Sequence, residues 1–358
     1  MTSVRPMIDQ VLARPREAGT SAAEEARRVV AEQLAALGYR VAVQRFRFHP
    51  SGLLAFPVAG AGLVLTALMV APLLLLPGVP GWGALGVWLA GASATLLLAY
   101  GIGVGRLPLG ETREDANLVA VRGDAPVRRW VVAHLDTKAQ AQSMAGRLVA
   151  VWVLGLAVVA LTALAVARLA SPTAPSLAAA GTVLALIGGT LAGRGRRRGE
   201  SQGARDNGTG VLAALALAET STDPGTAICI TGAEEFGLAG ARVFAHAMGP
   251  ALAGMAVINF DTLDHEGHLY LVAHDRRGAE LAADLAPRLA GLGAAVRVRR
   301  LPLGILVDSM PLARAGARAV TVGRLTWRTL RLIHTPADRP EGLSLEPAEA
   351  VGRALAPN

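Results

Sequence analysis

Three stretches of this chain contain no Asp, Glu, Lys or Arg: 52–105, 148–167 and 169–193. The first is divided by PGVPGWG (77–83), so four apolar blocks result, each near the roughly 20 residues a helix needs to cross a hydrocarbon core of about 30 Å. SPTAPS (171–176) shortens the fourth. Buried helices of a globular domain rarely run so far without a charge on some face, so these blocks are expected to span a membrane. With 52% hydrophobic residues and a mean hydropathy of +0.42, the 358-residue chain is more apolar than an ordinary globular domain.

Net charge is +8, but aromatic residues make up only 4%, which leaves few stacking platforms for nucleic acid. The densest basic run, GRGRRRGE (193–200), directly follows an apolar block and reads as a juxtamembrane anchor, so no nucleic-acid partner is expected. The N-terminus MTSVRPMIDQ lacks the apolar core of a signal peptide, leaving the first span to direct insertion. The single cysteine, Cys229, lies in the apolar run AICI and reads as an inert core thiol.

Between the apolar blocks, helix and strand patterns alternate. Residues 21–38 read as a helix opened by a capping box of Ser21 with Glu24 and stopped by Gly38. Strands are expected at 39–48, 117–123, 128–136, 226–231, 255–260, 268–273, 295–299 and 317–323. Further helices are expected at 208–220, 238–247, 278–292 and 347–355. The alternation predicts an α/β fold with a mixed, mainly parallel sheet and helices on both faces.

Residues 1–51, 104–146 and 196–358 together form one domain in this reading, of roughly 250 residues, a credible domain size. Residues 52–103 and 147–195 are two transmembrane hairpins inserted into it. Each insertion crosses twice, so the three soluble pieces end on one side. Their flanks carry Arg45, Arg47, Arg106, Lys138, Arg147 and Arg194 to Arg198 with one Gly between, whereas the connecting turns hold only Arg168. The charge bias predicts an integral membrane protein with four spans and a cytoplasmic catalytic domain.

Acids and histidines cluster at the ends of strands or just beyond them, in VVAHLDT (131–137), GARDNGTG (203–210), TGAEEFGLAG (231–240), NFDTLD (259–264) and LIHTPAD (332–338). Ligands bind at such strand ends in open α/β sheets, and imidazole with carboxylate is the donor set of a divalent metal. Singly, each residue has an ordinary structural reading: His134 a bonded core residue, Asp206 a helix cap, Asp261 a turn former, His334 a helix cap. The adjacent pair Glu234-Glu235 is harder to explain, because two neighbouring carboxylates beside a buried strand repel each other.

The order HxD, GAxDNxxG, EExGLxG after an apolar strand, NxD and a late IHT-P-x-D resembles the co-catalytic zinc aminopeptidases of clan MH, metallopeptidase family twenty-eight, here as a membrane-anchored variant. The resemblance covers essentially all of the chain outside the apolar blocks. It implies the zinc aminopeptidase fold and two divalent metal ions, zinc in the family. His134 and Asp261 would hold one, Glu235 and His334 the other, and Asp206 would bridge both. Glu234 matches the general base, and Asp136 the acid that orients His134.

The reaction implied is peptide hydrolysis at the N-terminus of a peptide or protein, with Glu234 moving the proton of a metal-activated water. Glu235 is then neutralised by coordination while Glu234 stays free. The 69 or so residues between Asp136 and Asp206, where the family has a short loop, would set the centre near the bilayer, making the lipid bilayer a partner. Asp308 matches a segment lining the family's substrate pocket, with Ser309 and Leu312 departing from its pattern and Ala241 from that of the loop after the Glu pair. Oligomeric state is left open.

Within the same fold, carboxypeptidase-like and glutaminyl-cyclase-like chemistries and non-catalytic receptors or scaffolds are alternatives. Retention of the base and five ligands argues against the last two. A transporter would carry ionisable residues inside its spans, and these blocks have none. His265, His268 and His274 are read as solvated or structural residues of a surface hairpin.

Overall fold

The computed structural model describes residues 4–357. Its elements run α1 (Arg5–Leu12), α2 (Ser21–Ala36), β1 (Arg40–Phe48), α3 (Ala55–Leu75), α4 (Gly81–Gly103), β2 (Arg113–Val121) and β3 (Arg129–His134). There follow α5 (Met144–Ala167), α6 (Pro175–Gly193), α7 (Thr209–Thr220), β4 (Thr226–Thr231), α8 (Ala239–Met248), β5 (Ala256–Leu263) and β6 (His268–Ala273). The last are α9 (Arg276–Leu289), β7 (Val296–Arg300), α10 (Ser309–Arg314), β8 (Arg318–Leu325), α11 (Trp327–Leu332) and α12 (Glu346–Leu355). Two compact units result: Met1–Phe48, Thr112–Ala139 and Gly199–Asn358 form one, His49–Glu111 and Gln140–Arg198 the other.

The first unit is built on one eight-stranded sheet in the order β1-β2-β4-β3-β5-β8-β6-β7. The centre β4-β3-β5-β8 is parallel, β7 pairs parallel with β6, and β1-β2, β2-β4 and β6-β8 pair antiparallel. The central strands are almost continuously apolar because both faces are covered. Val131, Ile228, Ile258 and Val320 enter a core with residues of α1, α2, α7, α9 and α12. Their neighbours Trp130, Val132, Cys229, Val257 and Ala319 point the other way, against Phe244 of α8 and Leu312 of α10. Cys229 is buried there, and burial pushes its thiol well above the usual range.

Several local expectations change. The cap of α2 is Thr20, whose hydroxyl accepts from Ala23 N–H at 3.2 Å, not Ser21. β5 and β6 form no hairpin: β6 lies between β8 and β7. In consequence His274 is held against α10, its Nε2 2.6 Å from Ser309 Oγ, which is itself 2.6 Å from Thr321 Oγ1 on β8. The short helices α1, α10 and α11 carry no clear signal of length, yet Met7, Ile8, Val11 and Leu12 of α1 recur at helical spacing and are all buried.

The second unit contains α3 to α6. Four helices, Pro50–Leu75, Gly81–Gly103, Met144–Ala167 and Pro175–Gly193, are long and apolar enough to cross a membrane by length and composition. They bury a common core of Leu63, Val70, Leu74, Trp88, Leu154 and Leu161. α3 and α6 approach closely through glycines: a Cβ on Gly60 would sit 2.5 Å from that of Ala192, and one on Gly189 2.2 Å from Val64 Cγ2. Trp88 Nε1 donates to Thr162 Oγ1 at 2.8 Å, so the indole N–H buried between helices is satisfied.

Candidate metal centre

The parallel strands deliver the polar residues to one edge. β3 ends on His134, and Asp136 and Lys138 follow it. β4 ends at Thr231 and leads into a 3-10 turn, Glu234–Phe236, that carries the carboxylate pair. Asp261 lies near the end of β5, Asp206 in the tight turn before α7, and His334 just after α11. Ala233, Thr262 and His334 adopt positive φ of 51°, 56° and 66°, a region costly for side chains bearing Cβ. Such conformations persist where surrounding bonds over-determine them, and all three flank or form the cluster.

Two groups of three donors emerge: His134, Glu234 and Asp261, and Asp206, Glu235 and His334. Within each, one ligand atom per residue lies within 4.8 Å of the others. Asp206 links them: its Oδ1 is 3.2 Å from His134 Nε2, and its Oδ2 is 3.0 Å from His334 Nε2. His334 Nε2 also stands 3.6 Å from Glu235 Oε1. All of these residues except Asp261, which is partly exposed, are buried.

The supporting bonds are specific. His134 Nδ1 is 3.0 Å from the main-chain carbonyl of Asp136 and 3.8 Å from that residue's Oδ1. The Asp136 carboxylate instead accepts the backbone N–H of Glu234 at 2.9 Å and of Glu235 at 3.2 Å. Asp338 accepts the N–H of Arg205 at 2.9 Å and of Asp206 at 3.1 Å. Asn117 of β2 holds the Glu-pair loop from behind, accepting from Gly232 N–H at 3.1 Å and donating to the Gly240 carbonyl at 2.9 Å.

Lys138 is the principal residue that motif reading missed. Counted in the sequence as a flanking charge, it is buried, and its ammonium donates to Glu235 Oε2. A cation directly after an HxD strand that leads into a ligand-rich edge was the available signal. Arg16 was missed as well: fully buried, it donates to the carbonyls of Leu135, Val11, Gln202 and Gly203, tying the loop after β3 to the Asp206 turn.

Electrostatics mark the cluster as a cation site. Burial, with Glu235, Asp308 and Asp261 nearby, pushes the Glu234 carboxyl well above its ordinary range. Burial raises Asp261 to about 7 and Asp136 and Asp308 to about 6. Burial also opposes ionisation of Asp206, but hydrogen bonds to the two histidines hold it well below the carboxylate range. Burial works against protonation of His134, yet Glu234 and Asp206 keep it well above the usual value, whereas burial and Lys138 lower His334. Glu235 Oε1 and His334 Nδ1 are buried without hydrogen-bond partners. Orphaned acceptors beside crowded carboxylates are compensated by bound cations, and the N/O donor set suits zinc.

A family model, Peptidase family M28, matches residues 186–357. No curated protein matches the chain. Among solved structures, an aminopeptidase from Aneurinibacillus sp. strain AM-1 is 15% identical with a TM-score of 0.57, the match covering 99% of this chain and 93% of that one. A Zn-dependent exopeptidase from Parabacteroides distasonis is 15% identical at a TM-score of 0.57, covering 98% and 94%. A Fimbriiglobus ruber glutaminyl cyclase is 15% identical at 0.56, covering 98% and 91%. At this identity the likeness concerns the fold. The family match and the two clusters that could each hold a metal ion together support zinc-dependent metallopeptidase activity of the aminopeptidase kind, with two divalent metal ions.

The membrane part of the sequence reading is corrected by the same comparisons. The matches reach 98–99% of this chain and are to aminopeptidases and an exopeptidase, so they support the mixed α/β zinc-aminopeptidase-like fold and lend no support to inserted transmembrane hairpins. A membrane-anchored variant, a bilayer partner, and a four-span integral membrane location with a cytoplasmic domain are likewise not supported. Length and apolarity alone carried that expectation. α3 to α6 share an apolar core, which buries 28–33% of each apolar window.

Proposed function

We propose that the protein is a two-metal exopeptidase acting at the amino terminus of peptides or proteins. The peptidase domain is assigned to residues 1–51, 104–146 and 196–358. The observation that carries the reading is Asp206, whose two carboxylate oxygens face Nε2 of two different histidines, as a carboxylate shared by two cations requires. In this reading His134, Asp261 and Asp206 hold one ion, and Glu235, His334 and Asp206 the other. Bound there, the ions would polarise the scissile carbonyl and lower the pKa of the attacking water.

Glu234 is assigned as general base. Its burial among other carboxylates makes it a strong proton acceptor, and it returns the proton to the leaving amine. Asp136 positions it: by accepting both backbone N–H groups of the Glu pair, it sets where the two side chains start. The contact of the His134 ring with the Asp136 carbonyl fixes the ring from the same residue. Direction toward the amino terminus is supported by the fold likeness to aminopeptidases.

The test is metal content measured beside hydrolysis of aminoacyl and carboxy-terminal peptide substrates. Glu234→Gln is expected to retain two metals and lose turnover, and Glu235→Gln to lose metal. A native protein that binds no divalent metal, or cleaves only from the carboxyl end, refutes the reading.

A further inference from the structure

Lys138 is unusual in its place. A metal ligand normally keeps its lone pairs for the metal and for neutral donors, yet here a buried ammonium sits on one oxygen of Glu235. The two oxygens of that carboxylate are therefore unequal. Oε2 is taken by Lys138, whereas Oε1 is buried without a hydrogen-bond partner and lies 3.6 Å from His334 Nε2. Only Oε1 faces the donors of its cluster. No corresponding cation contacts Glu234 or Asp261 among the described residues' ion pairs.

Resting on the two-metal reading, we propose that Lys138 is a positioning residue for the Asp206–Glu235–His334 site. It confines Glu235 to coordination through Oε1 alone, and its positive charge makes this site the weaker of the two for a divalent ion. A two-oxygen grip would raise the ion's coordination number, and with Oε2 held by the lysine only Oε1 is left to offer. The geometry also predicts unequal filling, because a cation a few ångströms from a dication repels it, while the His134 cluster faces no such charge.

The experiment is calorimetric titration of metal-stripped full-length protein with Zn²⁺, paired with visible absorption of the Co²⁺-substituted form, which weakens as coordination number rises. The unaltered protein is expected to bind two ions in steps of distinct affinity. Lys138→Met should tighten the weaker step by about tenfold or more and lower the Co²⁺ absorption, whereas Lys138→Arg should restore both values. If Lys138→Met does not fold, Lys138→Gln, which keeps a donor without the charge, should tighten the weaker step and leave the Co²⁺ absorption unchanged. An unchanged or weakened second step in the neutral variant overturns the inference, as do two equal steps in the unaltered protein. Failure to bind any Zn²⁺ would instead overturn the two-metal reading beneath it.

Discussion

Asp136 offers the sharpest test of how the centre is held. Its carboxylate is fully buried and accepts two main-chain N–H groups, from Glu234 and Glu235. A hydrogen bond to a charged group contributes about 1.5–3 kcal/mol, and a buried N–H left alone loses that. Asp136→Ala removes both bonds and is expected to cost about 3–6 kcal/mol, a large share of the 5–15 kcal/mol that stabilises a typical domain. Asp136→Asn keeps one acceptor oxygen but turns an NH₂ toward the other N–H, so about half that loss is expected.

The assay is urea denaturation of metal-stripped protein at two pH values. Burial raises Asp136 to about 6, above its unfolded value, so the native state takes up a proton as pH falls through 6 and gains stability by doing so. The gap between the Asn variant, which does not titrate there, and the unaltered protein should therefore be smallest near neutrality and widen as pH falls from about 6 toward about 4. Turnover should fall in both variants through misplacement of the Glu pair. An Asn variant as stable as the unaltered protein at neutral pH, with full activity, would refute the claim that this carboxylate organises the loop.

Other perturbations follow from the same geometry. Asp261 at about 7 and Asp136 and Asp308 at about 6 lie above their unfolded values, so their contribution is present below the unfolded range and lost as pH rises through 6 to 7. Metal-stripped protein should accordingly show a higher Tm near pH 5 than near pH 8, with the difference reduced by saturating Zn²⁺; a Tm that rises with pH in the stripped form would contradict this. Gly240→Ala places a Cβ 2.3 Å from the Gly232 carbonyl and 2.4 Å from Asn117 Oδ1, so the loop must shift, and calorimetry should show destabilisation with impaired metal binding. Arg27→Ala leaves the buried Asp115 without its ion-pair partner and should cost about 3–5 kcal/mol by denaturation, whereas Arg47→Ala, removing an exposed pair with Glu114, should cost less than about 1 kcal/mol.

Four of the candidate donors stand at or just beyond runs of apolar residues whose length and β-branching mark a buried strand, whereas Asp206 and His334 follow no strand. The strand ends then place His134, Glu234, Glu235 and Asp261 without knowledge of the strand order. That order itself was not readable: β6 inserts between β8 and β7, and nothing in the residues 264–268 distinguishes this from a hairpin with β5. Lys138 and Arg16 escaped because a cation's burial depends on partners distant in the chain, Glu235 and the carbonyl groups of residues 135, 202 and 203. The apolar blocks were located correctly as long helices, but apolarity measures transfer out of water and does not say into what.

The Asp206 turn is pinned by Asp338, and His334 stands four residues before that aspartate. His134 and the Glu pair thus emerge from the ribosome long before their partners do. At roughly 5–20 residues per second, a growing chain passes through an interval in which the sheet centre exists while neither the support of the Asp206 turn nor the second histidine has been made. A protease in that interval is harmless to its own unfinished chain and to its neighbours. With His334 and Asp338 supplied by so late a segment, the candidate cluster cannot assemble until that segment has been made.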